Sequence, residues 1–286
     1  PGHPPMIVLV GFLAVIASVC LGYFMEGGVF SVLVQPAEWV IIFGAAFGAM
    51  CIGSTRNSLA LIAKGLPRAL APAHIGRQDY LEMLTCLARL LGKARREGLM
   101  SIEGDIERPE SSAVFSQAKR LTRDRTALAF ICDTMRVYLV TGDAQEIEQL
   151  MDLDMAAIHQ QAASPGHNLG KVAESLPGLG IVAAVLGVVL TMGKISQPPE
   201  VLGHSIGSAL VGTFLGVLLC YGFIGPLASN LENQAMERQT YFSVIRAVIA
   251  GAARGATPLI AVEYGRRAVP EALRPEFTDL EALVRG

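Results

Sequence analysis

VLGHSIGSALVGTFLGVLLCYGFIGPLASNL, residues 201–231, contains no Asp, Glu, Lys or Arg, and its only titratable side chains are His204, Cys220 and Tyr221. As one helix rising 1.5 Å per residue it would be about 46 Å long, against a hydrocarbon core of about 30 Å. A run this long and uncharged predicts a membrane-crossing helix that tilts or projects beyond the bilayer. Three shorter apolar runs precede it. Residues 6–25 are uncharged over a spanning length, residues 39–52 follow a helix-start pattern at Gln35-Pro36-Ala37-Glu38 with an interfacial Trp39, and residues 176–192 form the third. The first lacks the basic leader and small-residue cleavage site of a signal peptide, so it is expected to stay in the mature protein.

The whole composition agrees with this reading. The 286 residues are 52% hydrophobic and only 17% charged, with a mean hydropathy of +0.46, too apolar for an ordinary soluble domain. The formal net charge of -2 gives no basic excess for nucleic acid. Cys20, Cys51, Cys86, Cys132 and Cys220 are scattered singly, without metal-ligand or disulfide spacing. Residues 1–5 precede Met6 and are expected to contribute nothing to the fold.

Between the second and third runs the charge density rises and apolar residues become periodic. Tyr80, Leu84, Leu87 and Leu91 share one helix face before a stop at Gly98; Leu128, Ile131, Met135 and Leu139 repeat the pattern before Gly142. A short helix is expected after Asp143, carrying Ile147, Leu150 and Met151, and Ser164-Pro165-Gly166 is expected to end it. The fold class is therefore an all-α membrane protein with four transmembrane helices and a large helical cytoplasmic domain. Its expected parts are a hairpin of the first two spans at 6–53, a cytoplasmic helical domain at 54–174, the third and fourth spans at 175–231, and a helical tail at 232–286.

Basic residues set the expected orientation. The 26–38 connection has none and the 192–200 connection has Lys194 alone, whereas Arg56, Lys64 and Arg68 follow the second span directly. The short connections should face outward, with both termini and the large regions in the cytoplasm.

Small residues recur every fourth position at Ser208, Gly212, Gly216 and Cys220, and at Gly180 with Ala184 and Ala183 with Gly187. This spacing suits close helix packing, either within one chain or between copies. Pro177 and Pro226 lie near equivalent ends of the third and fourth spans, as hinges or as ordinary helix kinks. Glu38 and Glu174 are placed at span edges, His204 near the outer end of its helix, and no span carries an acidic or basic side chain near its middle. A proton crossing here would need a carrier from another chain. Arg95 and Glu103 fall at a helix end and a helix start, which suits helix-end solvation or a docking surface. No HExxH, phosphate-binding loop or dinucleotide turn is present, so no enzyme, cofactor or metal is expected.

Six stretches, MIVLVG (6–11), QPAEWVIIFGA (35–45), KARREGLMSIEGDIERP (93–109), ESLPGLGIVAAVLGVV (174–189), ALVGTFLGVLLCYGFIGPLA (209–228) and IAVEYGRR (260–267), resemble the MotA family over almost the whole chain. Gly225 stands where related sequences often have Ser. The resemblance implies a flagellar motor stator subunit of the bacterial inner membrane. It further implies a homopentamer around two copies of a MotB-like single-span partner, which supplies the proton-binding Asp and a peptidoglycan-binding domain. By the same resemblance, Pro177 and Pro226 match prolines tied to proton-dependent conformational change, and Arg95 and Glu103 match charges that engage the rotor protein FliG. Sodium-driven PomA-like relatives carry Thr where Ala184 stands; a methyl offers sodium no oxygen ligand, so the expected coupling ion is the proton, with Thr213 beside its path. An ExbB or TolQ-like energy-transducing subunit, normally with three spans, and a membrane scaffold without transport are the alternatives.

Overall fold

The computed structural model describes residues 6–70 and 75–280; residues 1–5 lie outside them. Its helices are α1 (Met6–Met25), α2 (Phe30–Leu33), α3 (Pro36–Gly53), α4 (Arg56–Leu70), α5 (Arg77–Glu97), α6 (Glu103–Glu107), α7 (Lys119–Arg123), α8 (Arg125–Thr141), α9 (Ala144–Met192), α10 (Pro199–Leu218), α11 (Gly225–Ala253) and α12 (Pro258–Ala268), with a π-helical turn at Leu219–Ile224. No strand occurs among the described residues. Four helical stretches, Ile7–Met25, Phe30–Gly53, Ala144–Met192 and Pro199–Ala253, are long and apolar enough to cross a membrane.

The chain divides into two compact units. Among the described residues, one comprises 75–161 and 235–280; the other comprises 6–70 and 162–234. In the first, the expected periodicity becomes a core: Tyr80, Leu84, Leu87 and Leu91 are buried with Ile131, Met135, Ile147, Met151, Phe242, Ile245 and Val248. Phe130 and Phe242 meet edge-on with ring centroids 5.2 Å apart, the favoured aromatic geometry. The stops fall where expected. Gly98, with φ +92°, follows α5, and Gly142, with φ +64°, caps α8 by donating its N–H to Tyr138 O.

In α12, the Glu263 carboxylate accepts from Arg266 Nε and Nη2 at 2.6 and 2.8 Å and from Arg267 Nε at 2.8 Å. The hydrogen bonds from Arg266 are the main reason its pKa falls from 4.5 to about 2; burial opposes the fall and Arg267 adds to it. The unfolded chain therefore takes up this proton first as the solution is acidified. The stabilisation is complete above the ordinary carboxylate range and is lost as pH falls from 4.5 toward about 2. Glu263→Gln is expected to lower the melting temperature at neutral pH and to flatten its acid dependence in that window. Circular dichroism melts across the pH series check this.

Two expectations are corrected. The helix after Asp143 is not short: Asp143 Oδ1 caps it by accepting from the Gln145 and Glu146 N–H groups, and it runs 49 residues to Met192. Ser164-Pro165-Gly166 does not break it. Packing overrides the local preference, because a Cβ on Gly65 of α4 would lie 2.9 Å from Pro165 Cβ, and a Cβ on Gly166 would lie 2.7 Å from Glu232 Cγ and 3.0 Å from Ala228 O of α11. With α4 and α11 pressed on either residue, the helical path is held despite the missing proline N–H. The fourth run continues as helix past Leu231, reaching Ala253 through the π-turn and α11.

Candidate functional site: the contact of the third and fourth spans

The second unit is organised by glycines. A Cβ on Gly216 of α10 would lie 2.5 Å from Leu176 O and 3.0 Å from Gly180 Cα of α9; one on Gly180 would lie 2.6 Å from Gly212 O and 3.3 Å from Thr213 Cα. These are backbone-to-backbone contacts, available only where neither helix has a side chain. The small-residue stripe on α10 is thus used within one chain. Ser208 at its start accepts a hydrogen bond from Gln35 Nε2 at 3.0 Å. Cys220 at its end is buried with Ile42, Ala46, Leu176 and Ala183.

Three of the expected site residues meet along this contact. Thr213, half-buried, lies against Gly180. Ala184, 8% exposed, has its backbone N 3.2 Å from the position of a Cβ on Gly212. Pro177, half-buried, directly follows Leu176, whose carbonyl abuts Gly216.

Pro226 occupies the second position of α11, immediately after the π-turn. A proline there cannot donate to the carbonyl four residues back and crowds it. The helix accommodates this by widening: Gly225 N–H donates to Cys220 O, five residues back. A Cβ on Gly225 would lie 2.6 Å from that same oxygen. Pro226 itself is exposed, while Leu227 and Ala228 beside it are buried with Ala69 and Leu169.

Arg95 and Glu103 belong to the other unit. Arg95 sits in the last turn of α5 and Glu103 in the first turn of α6, with the Gly98 turn and a single 3-10 turn between them. Both are exposed, and neither makes an ion pair among the described residues. Arg95 also borders a cavity of about 180 Å³ lined by Leu91, Met135, Tyr138, Ile249 and Pro258. The segment beneath them is pinned from inside. Asp105, 8% exposed, accepts from Lys93 Nζ at 2.8 Å and from Ser112 Oγ at 2.6 Å. Burial is the largest influence on Asp105 and opposes its ionisation, but these two hydrogen bonds outweigh it and hold the carboxyl below its ordinary value.

Glu38, expected at a span edge, is buried. It is 7% exposed in the first turn of α3, and its Oε2 is buried without a hydrogen-bond partner. The residue was legible as the one carboxylate inside the Phe30–Gly53 span. Its surroundings were not, because the glycines against it lie about 150 residues or more further along the chain.

Residues 9–98 match the family described as "Motility protein A N-terminal", and residues 122–243 match the "MotA/TolQ/ExbB proton channel family". Motility protein A of Salmonella typhimurium is 39% identical over 98% of this chain and 96% of its own length. The chain belongs to the MotA family. Motility protein A of Escherichia coli is equally similar, 39% identical over the same shares, and the chemotaxis protein LafT of Vibrio parahaemolyticus is 31% identical over 95% of both chains. As a MotA-family member the chain is a flagellar motor stator subunit of the proton-channel class. Its fold is shared with solved structures. The C. jejuni MotAB structure superposes with a TM-score of 0.78 at 18% identity, over 93% of this chain and 96% of that one. The flagellar MotAB stator complex of Bacillus subtilis gives 0.71 at 22% identity, over 89% and 92%.

Proposed function

We propose that this chain, as a homopentamer around two copies of a MotB-like single-span subunit, forms a proton path in the bacterial inner membrane and turns proton flow into torque on the rotor protein FliG. The observation that supports it most directly is the contact of α9 and α10. Two spans are locked glycine to glycine, flanked by Pro177 and by the widened turn before Pro226, with Ala184 and Thr213 along the seam and no acidic or basic side chain on either helix at that depth. Such a wall can change shape around a charge, while α9 and α10 bring none of their own to it. The proton-accepting Asp comes from the partner. Its protonation removes a buried charge, alters its fit against Pro177, Thr213 and Pro226, and advances the ring by one subunit. The Ala184 methyl supplies no ligand for sodium, which favours the proton. The short connections face outward and both termini lie in the cytoplasm.

The exposed pair Arg95 and Glu103 delivers the torque through successive contacts with the rotor, each a modest charge interaction. Reversing both charges (R95E with E103K) is expected to lower binding to FliG by about tenfold and to stop swimming, while leaving the proton flux of the assembled complex unchanged. Intact rotor binding and swimming would exclude this contact. Proton uptake by vesicles containing the chain, with and without its partner, tests conduction itself: a scaffold without transport gives no partner-dependent flux.

A further inference from the structure

Glu38 is the buried ionisable group that this mechanism does not use. Its carboxyl lies in a cradle made by two glycines: a Cβ on Gly212 of α10 would lie 2.5 Å from Oε2, and one on Gly187 of α9 would lie 3.8 Å from Oε1. Ala183 and Ala184 border the same place, with Ala183 Cβ 3.0 Å and Ala184 N 3.2 Å from that position on Gly212. Any larger residue at 212 would occupy the volume of the carboxyl. Among the described residues no hydrogen bond or ion pair reaches Oε2. Polar side chains on the adjoining turns are committed elsewhere: Gln35 Nε2 donates to Ser208 Oγ and Val32 O, and Thr191 Oγ1 donates to Gly187 O.

The helices packed against Glu38 bring no counterion. On α10 and the turn before it the charged or titratable groups are Lys194, Glu200 and His204; along α9 within this unit they are His167, Lys171 and Glu174; on the π-turn they are Cys220 and Tyr221. Neither α1 nor the rest of α3 adds a charge facing it, since Cys20, Tyr23 and Cys51 are their only other titratable side chains. None of these bonds to the Glu38 carboxyl. A carboxylate kept for structure alone would be matched by a donor, because an unpaired buried charge costs several kcal/mol where a neutral side chain costs nothing comparable. A carboxyl that holds a proton satisfies the site.

We propose that Glu38 is a proton-binding group of this chain, a second carboxyl on the path beside the one the partner supplies. Neutral in its glycine cradle, it gives its proton to a carboxylate of the partner span passing the α9–α10 seam, and the Glu38 carboxylate left behind takes a proton from water at the 26–35 end of the hairpin. One proton enters and one leaves, with no other reactant. The inference rests on the proton-conduction reading above. It extends that reading by giving each copy of the ring its own loading site.

Infrared difference spectroscopy on the full complex with its partner, titrated with pH, is the direct test. A protonated-carboxyl carbonyl band is expected at neutral pH, and the component that belongs to Glu38, separate from that of the partner's Asp, should be lost in Glu38→Gln, while partner-dependent proton flux in vesicles falls by at least about tenfold. Glu38→Asp keeps a carboxyl in a retracted position; it should restore part of the flux with a shifted pH profile, which a merely structural role would not produce. If Glu38→Gln disrupts assembly, the Asp variant and the wild-type band still decide. A band unchanged in Glu38→Gln, a flux equal to wild type, or an unshifted Asp profile each overturns the proposal. Absence of partner-dependent flux in the wild-type complex would instead overturn the conduction reading, and the band would still report whether Glu38 holds a proton.

Discussion

Gly216→Val is expected to abolish swimming and partner-dependent proton flux and to lower the amount of folded chain in the membrane. Already the Cβ of an alanine at 216 would stand 2.5 Å from Leu176 O, 3.0 Å from Gly180 Cα and 3.2 Å from Gly180 N. All three are backbone atoms of α9, so no side chain can swing aside. The helices must part by about an ångström for alanine, which costs about 1–3 kcal/mol, and by more for the branched valine. Separation also withdraws Thr213 from Gly180 and strains the turn carrying Pro177, so activity is lost beyond the loss of stability. Gly178→Ala is the control on the same stretch of α9: a Cβ there meets nothing within 4 Å. Thermal melting in detergent, paired with the flux assay, separates the two variants; a fully active Gly216→Val complex would refute the packing.

Asp124→Ala is the largest single loss expected in the other unit. One carboxylate has two tasks. Its Oδ1 caps α8 by accepting from the Thr126 and Ala127 N–H groups at 3.2 Å each, and its two oxygens take Nη1 and Nη2 of Arg238 at 2.9 Å each. Arg238 in turn lies over the Phe242 ring, 5.4 Å from its centroid, joining α8 to α11 beside the buried Phe130 and Phe242 pair. Loss of a cap costs about 1 kcal/mol and loss of the partly exposed bidentate pair about as much again. Together these predict a fall in melting temperature of about 5 °C or more. Asp124→Asn retains the cap acceptor and should recover about half of the loss. Equal melting of the Asn and Ala variants would show that the cap contributes nothing.

Much of this architecture was legible because membrane helices are written in composition. Runs without charge mark the spans, and the face carrying Tyr80, Leu84, Leu87 and Leu91 marks the soluble core, since a 3.6-residue period has one physical meaning when the stretch is long. Gly98 and Gly142 were readable as stops because each takes a positive φ that favours glycine. The candidate residues Pro177, Ala184, Thr213, Pro226, Arg95 and Glu103 came from resemblance, and the structure sorts them by place. Three lie on one seam, Pro226 follows the π-turn, and the two charges belong to the other unit.

The sequence by itself determined which segments can lie in lipid, that helices stop at Gly98 and Gly142, and that the spans hold almost no charge, because these depend on side chains and their near neighbours. Only the tertiary structure decided that α9 runs unbroken through Pro165, that the ladder widens before Pro226, and that Glu38 is enclosed rather than solvated. The first and third of those outcomes depend on what distant helices press against the residue, Gly65, Ala228 and Glu232 at the first and Gly187 and Gly212 at the third, whereas the second comes from the crowding of a proline on its own helix. A local pattern cannot register a contact made across that much chain. Glu38 and the glycines that receive it become one site only when three spans pack.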